Sequence, residues 1–163
     1  MKKNQTIITA ETGKQEIFMT REFDAPRELV FQAHTDPKLV AQWLGGQCDF
    51  SMRIETFDAR PGGSYRYIYT QPDGKEFGFH GVFHECLFPE LIIQTFEFEG
   101  LPEKGHAVLE IIRFETLPNK KTKVGTHSVF QTVSDRDGKL RAGMEEGTIA
   151  SHERLDALIL NLH

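Results

Sequence analysis

The chain has 163 residues, a formal charge of −5, 39% hydrophobic and 26% charged residues. That is the size and balance of one globular domain, large enough to bury a core without disulfide or metal staples. An acidic chain without a Lys/Arg run gains nothing from counterion release, which excludes nucleic acid as an expected partner, and no apolar stretch approaches the roughly 20 residues of a membrane span.

Residues 1–12 are polar apart from Ile7-Ile8 and are expected to be a loose lead-in to a single domain over 13–163. The opening MKKNQTIITA lacks the apolar segment of a signal peptide, so the chain is expected to be cytoplasmic, with Cys48 and Cys86 as reduced thiols. Residues 14–23 alternate as a first strand. Pro26 then suits a first helical turn, and Leu29, Val30, Phe31 and Ala33 follow at helical spacing. Asp36-Pro37 repeats that start signal, with Asp36 as N-cap. Leu39, Val40, Trp43 and Leu44 give the second helix an apolar face, and Gly45-Gly46 ends it.

Strand after strand follows. Residues 49–58 alternate Phe50, Met52 and Ile54 with polar neighbours. Tyr65, Tyr67 and Tyr69 share one face of the next strand, with Arg66 on the other. Pro72-Asp73-Gly74 signals a hairpin. Phe77, Phe79, Gly81 and Phe83 keep the period, and further strands are expected over 91–100, 107–116 and 122–133. Asp137-Gly138 breaks the pattern. A long helix then places Thr148, Ser151, Leu155, Leu158, Ile159 and Leu162 on one stripe, small and polar at its start and aliphatic at its end.

The expected fold is therefore α+β: a seven-stranded curved antiparallel sheet, two short helices after the first strand, and a long C-terminal helix over the concave face. Thirteen phenylalanines and three tyrosines facing such a helix suit either a solid core or the lining of an internal pocket. The residues expected to line it are Trp43, Tyr65, Tyr67, Phe79, Phe83, Thr148, Ser151 and Leu155.

This order is that of the helix-grip fold. The segments REFDAPRELVFQAHTDPKLVAQWLG (21–45), DARPGGSYRY (58–67), FHGVFHE (79–85), PELIIQTFEFEG (89–100) and GMEEGTIASHERLDALI (143–159) together resemble the family named activator of heat-shock protein 90 ATPase homologue-like. That family is kin to START domains, the birch pollen allergens and the polyketide cyclases. The resemblance implies an internal ligand cavity. The family commonly carries Trp where this chain has Thr148, which implies more room at the pocket mouth. The family name comes from co-chaperones with a further N-terminal domain, for which 163 residues are expected to leave no room.

No cofactor motif is present. His84-Glu85 and His152-Glu153 begin HExxH patterns, but Phe88 and Asp156 stand at the closing positions. There is no GxGxxG, Walker loop or GxSxG, so neither a metal nor an organic cofactor is expected. His80, His106 and His127 fall on strands or their ends and face either the cavity or solvent. Arg53, Arg66 and Arg113 read as outward, and Glu97 as ambiguous. No pair of these groups can be brought together from sequence, so no catalytic residue is assigned. Three readings remain open: a binding protein for an apolar, lipid-like small molecule, a cofactor-independent enzyme of the cyclase or hydrolase kind, and an interaction module with a chaperone partner. The first would act as a monomer or homodimer.

Overall fold

The structure, a computed structural model, describes residues 4–45 and 50–162. Cys48 and Gly46 lie outside the described residues. The elements run β1 (Ile7–Thr9), β2 (Glu16–Phe23), α1 (Arg27–Thr35), α2 (Pro37–Trp43), β3 (Ser51–Phe57), β4 (Ser64–Thr70), β5 (Glu76–Leu87), β6 (Leu91–Phe98), β7 (Val108–Leu117), β8 (Lys121–Val129), α3 (Val133–Arg141) and α4 (Met144–Leu162). A short 3-10 turn, Pro118–Lys120, joins β7 to β8.

The strands form one antiparallel sheet in the order β1-β2-β8-β7-β6-β5-β4-β3. Strands β3 to β8 are a simple meander, and α1 and α2 carry the chain from β2 to the opposite edge. The α+β class, the curved antiparallel sheet and the long C-terminal helix agree with the sequence reading, with two corrections. The sheet has eight strands, not seven, because Ile7–Thr9 in the expected lead-in pairs with β2. Asp137-Gly138 does not break the chain but lies inside α3.

That helix is held by tertiary bonds rather than propensity. The Thr132 side chain caps it by accepting from the Asp135 N–H. Arg136, 3% exposed, donates to the carbonyl oxygens of Glu11 and Glu16. The start of α2 is as the sequence predicts: the Asp36 carboxylate accepts from the Lys38 N–H at 2.9 Å and Pro37 is the first helical residue. The C-terminal carbonyls of α2, left open by the helix itself, are claimed by α4. Arg154 Nε donates to Trp43 O at 3.0 Å, and a terminal nitrogen of Arg154 donates to Gly45 O. Ser151 Oγ donates to the same Gly45 oxygen at 2.9 Å. A guanidinium at that end also suits the helix dipole.

The main core lies between the sheet and α1, α2 and α4, around Phe23, Val30, Phe31, Trp43, Tyr65, Phe83, Phe114, Leu155 and Ile159. A second cluster of Ile17, Val108 and Phe130 sits under α3, with Leu140 and Met144 against it.

Candidate functional site

Period-2 alternation decides which side chains face the helices. On β7, Val108 and Phe114 are buried and Ile112 packs on the core, so Glu110 in the same phase also points inward. On β6, Ile92 is buried and Phe96 packs on the core, which turns Gln94 inward. The two polar residues are direct cross-strand partners, and Gln94 Nε2 donates to Glu110 Oε1 at 2.9 Å. On β4 the inward face is Tyr65, Tyr67 and Tyr69, with Phe79 opposite Tyr67 on β5. Phe79 in turn packs on Tyr69 and Phe96.

The three tyrosines differ. Tyr65 is buried and its hydroxyl donates to Thr95 O. Tyr67 is buried, yet its hydroxyl has no hydrogen-bond partner among the described residues. Tyr69 is only partly buried. Burial raises all three phenol pKa values, Tyr69 to about 12, and the charge of Glu110 adds to the rise at Tyr65 and Tyr67. The same carboxylate acts on Lys139 of α3, whose pKa burial lowers. Lys139 Nζ lies 4.2 Å from the Phe96 ring centre and 6.0 Å from that of Phe130, a cation–π arrangement. It has no ion pair or hydrogen bond among the described residues.

Two histidines also face the interior. The His34 ring packs between Trp43 and Phe114, and its Nδ1 lies 2.8 Å from Val30 O. A carbonyl only accepts, so Nδ1 carries the proton and Nε2 is a bare acceptor. His152 meets the edge of Phe23, and its Nδ1 is 2.8 Å from Thr6 Oγ1. That hydroxyl also accepts from Arg21 at 2.9 Å. Desolvation brings the pKa of His34 down to about 4 and that of His152 to about 3. Arg21, 3% exposed, also pairs with Asp156.

The expected lining residues divide by packing. Trp43, Tyr65, Tyr67, Phe83 and Leu155 fall in one buried cluster with Phe79 against it. Trp43 Nε1 donates to Ala33 O at 2.8 Å, and the Ser151 hydroxyl is committed to Gly45 O. Thr148 is partly buried on α4. Two open surface grooves, of about 520 Å³ beside α1 and Phe88 and about 420 Å³ on the outer face around Arg66, touch none of these residues.

The sequence-stated histidines look outward. His80 Nδ1 is 2.8 Å from a Glu99 oxygen, in a cluster where Arg66 bonds both Glu99 oxygens and Glu55. Arg66 and His80 hold the Glu99 carboxyl down at about 2. His127 stacks on Phe18, and His106 contacts Asp135 at the start of α3. The histidine–carboxylate pairs are thus on the outer face or at a loop, and none of them joins the inward set. Glu97 faces outward, its carboxylate taking the Gly105 N–H. Sequence reasoning missed Gln94, Glu110, His34, His152, Arg21 and Lys139. The signal for the first two was present, since each is a polar residue in the inward phase of its strand.

Known proteins place this architecture. The profile of the family described as Activator of Hsp90 ATPase homolog 1-like protein matches residues 24–159. The chain belongs to this family. A Rhodobacter sphaeroides crystal structure is similar with a TM-score of 0.86 at 20% identity, over 96% of this chain and 99% of that one. A solution structure from Staphylococcus epidermidis gives 0.81 at 27% identity, over 95% of each. One from Arthrobacter aurescens gives 0.84 at 23% identity, over 95% and 91%. Identities this low carry the fold and no more. No curated protein matches the chain. No helix among the described residues is long and apolar enough to cross a membrane, and no group of three or more metal-ligating side chains occurs among them. The family's fold is compatible with ligand binding.

Proposed function

We propose that the chain binds an apolar small molecule between the concave face of the sheet and helices α3 and α4. One observation carries this reading. Tyr69, His34 and Lys139 lie deep enough for desolvation to move their pKa values, yet each keeps accessible surface. Their partial exposure beside the aromatic sheet face supports a recess there. The unpaired Tyr67 hydroxyl supports it. Among the described residues, the side-chain atoms sealed from solvent without a hydrogen bond are Arg21 Nε and His127 Nε2; the Tyr67 oxygen is not one of them, which supports a ligand reaching it.

In this reading Tyr67, Phe79 and Thr148 touch the ligand together with Tyr69 and Phe96. Trp43, Tyr65, Phe83, Ser151 and Leu155 hold the wall behind them. The enzyme reading has less support, since no inward histidine bonds a carboxylate among the described residues: His34 bonds Val30 O and His152 bonds Thr6. The interaction reading has one observation in its favour: Phe88, 61% exposed, lines the groove beside α1. The test is mass spectrometry of small molecules released when the natively purified protein is denatured. A stoichiometric apolar compound supports binding. Repeated absence, together with no uptake of an apolar fluorophore, rejects it.

A further inference from the structure

The interior polar groups are not arranged at random with respect to charge. The Glu110 carboxylate is fixed on one oxygen by Gln94, leaving its second oxygen without a hydrogen-bond partner among the described residues. The Lys139 ammonium sits above Phe96, one inward residue further along β6 from Gln94. The two charges feel each other but do not touch, since no ion pair joins them within contact distance. Tyr67, whose hydroxyl has no hydrogen bond among the described residues, opens onto the same sheet face: Phe79 sits opposite it and packs on Phe96.

Each of these groups becomes a cost once a ligand displaces the water that reaches it. A buried donor or acceptor without a partner loses hydration and gains nothing. A fully apolar ligand would leave all three unmet and displace whatever water serves them. A carboxylate ligand would satisfy Lys139 but bring a second negative charge to Glu110. An ammonium ligand would do the reverse. A neutral hydroxyl suits both, because it donates to a carboxylate and accepts from an ammonium or phenol, and hydrogen bonds to charged groups are the stronger kind.

Building on the binding proposal, we infer that the ligand is a neutral amphiphile with a phenol or alcohol head, its hydroxyl held between Glu110 and Lys139 with Tyr67 as third contact. The apolar remainder lies on Phe96 and Phe79. The pocket selects against acids and amines of the same shape.

The probes are four molecules with one ring system: 2-naphthol, 2-naphthoate, 2-naphthylmethylammonium and naphthalene. Binding to the full chain is measured calorimetrically at pH 7. The naphthol should bind about tenfold or more tightly than the other three, the discrimination expected when a site is built to bond a hydroxyl. Glu110→Gln should weaken naphthol and tighten naphthoate, because Lys139 then stands unopposed. Lys139→Met should instead tighten the ammonium. Tyr67→Phe, a milder change, should weaken naphthol alone and keeps the test open if a charge variant fails to fold. If the naphthoate or the ammonium binds most tightly, or if the order is unmoved by substitution, the inference is overturned. Equal binding of all four would overturn the head-group claim and leave the binding proposal standing. Binding of none would overturn both.

Discussion

Tyr65 lies directly over Gly81 on the neighbouring strand. A Cβ at Gly81 would overlap both the Tyr65 ring and the Thr95 carbonyl oxygen. The missing side chain lets the Tyr65 phenol cross β5 and donate to Thr95 O on β6. Val82 N–H bonds the Thr95 hydroxyl instead, at 3.0 Å. Gly81→Ala should therefore cost about 3 kcal/mol, in the upper range of overpacking. Tyr65→Phe should cost about 1–2 kcal/mol through the abandoned carbonyl. Urea unfolding of both variants and of the double variant checks this. Because the carbonyl clash persists without the hydroxyl, the double variant should not recover the alanine cost.

Arg21 is the most buried cation of the fold's N-terminal half. It joins β2 to α4 through Asp156 and to the segment before β1 through Thr6. Removing the guanidinium loses the ion pair to Asp156 and the bond to Thr6 together. Arg21→Met should lose about 3 kcal/mol, and it should also loosen the Thr6–His152 bond. Amide exchange in β1 and the first turns of α4 would rise together, whereas a loss confined to global stability would contradict the linkage.

Stability should fall from about pH 6.5 downward. His34 and His152 titrate lower in the folded chain than the ordinary 6.5, at about 4 and about 3. Between those limits the unfolded chain binds the extra protons, so stability rises with pH through this window and is fully present above it. Two such groups give roughly 2–4 kcal/mol between pH 7 and pH 5, at about 1.4 kcal/mol per pH unit and proton. His106 works oppositely: the Asp135 carboxylate raises its pKa, so its contribution is present at low pH and is lost as pH rises past the folded value. Urea midpoints across pH should show a net acid loss, flattened in His34→Gln and His152→Gln. A flat profile in the parent chain would reject the neutral assignments.

Thr148→Trp should narrow the recess without unfolding the protein. Thr148 keeps accessible surface, so the larger side chain need not displace the sealed core. Naphthol affinity should drop about tenfold or more while the urea midpoint changes by less than about 1 kcal/mol, the small effect of a substitution away from the core. Unchanged affinity would place Thr148 away from the ligand.

Much of the architecture was legible because its signals are local. The Tyr65-Tyr67-Tyr69 alternation, the Asp36-Pro37 helix start and the α4 stripe each follow from a backbone period. The short strand β1 was not legible, since three residues with one Ile-Ile pair form a strand only when β2 offers its edge. Helix α3 was hidden for a similar reason: Asp137-Gly138 is turn chemistry, and the bonds of Arg136 to Glu11 and Glu16 override it. Lys139 could not be placed while α3 was unseen. Glu110 and Gln94 were within reach of the alternation that found the tyrosines. Arg21, in the inward phase of β2 between Met19 and Phe23, carried the same signal.

Entry of an apolar molecule between the sheet and the helices is the central proposal. Intermolecular nuclear Overhauser contacts from bound 2-naphthol to the protein test this directly. The expected contacts are to the ring protons of Tyr67, Phe79 and Phe96 and to the Thr148 methyl, at one molecule per chain. Contacts to Phe18, Leu109 or Phe88 on the outer surface, or no saturable contact at all, would contradict it.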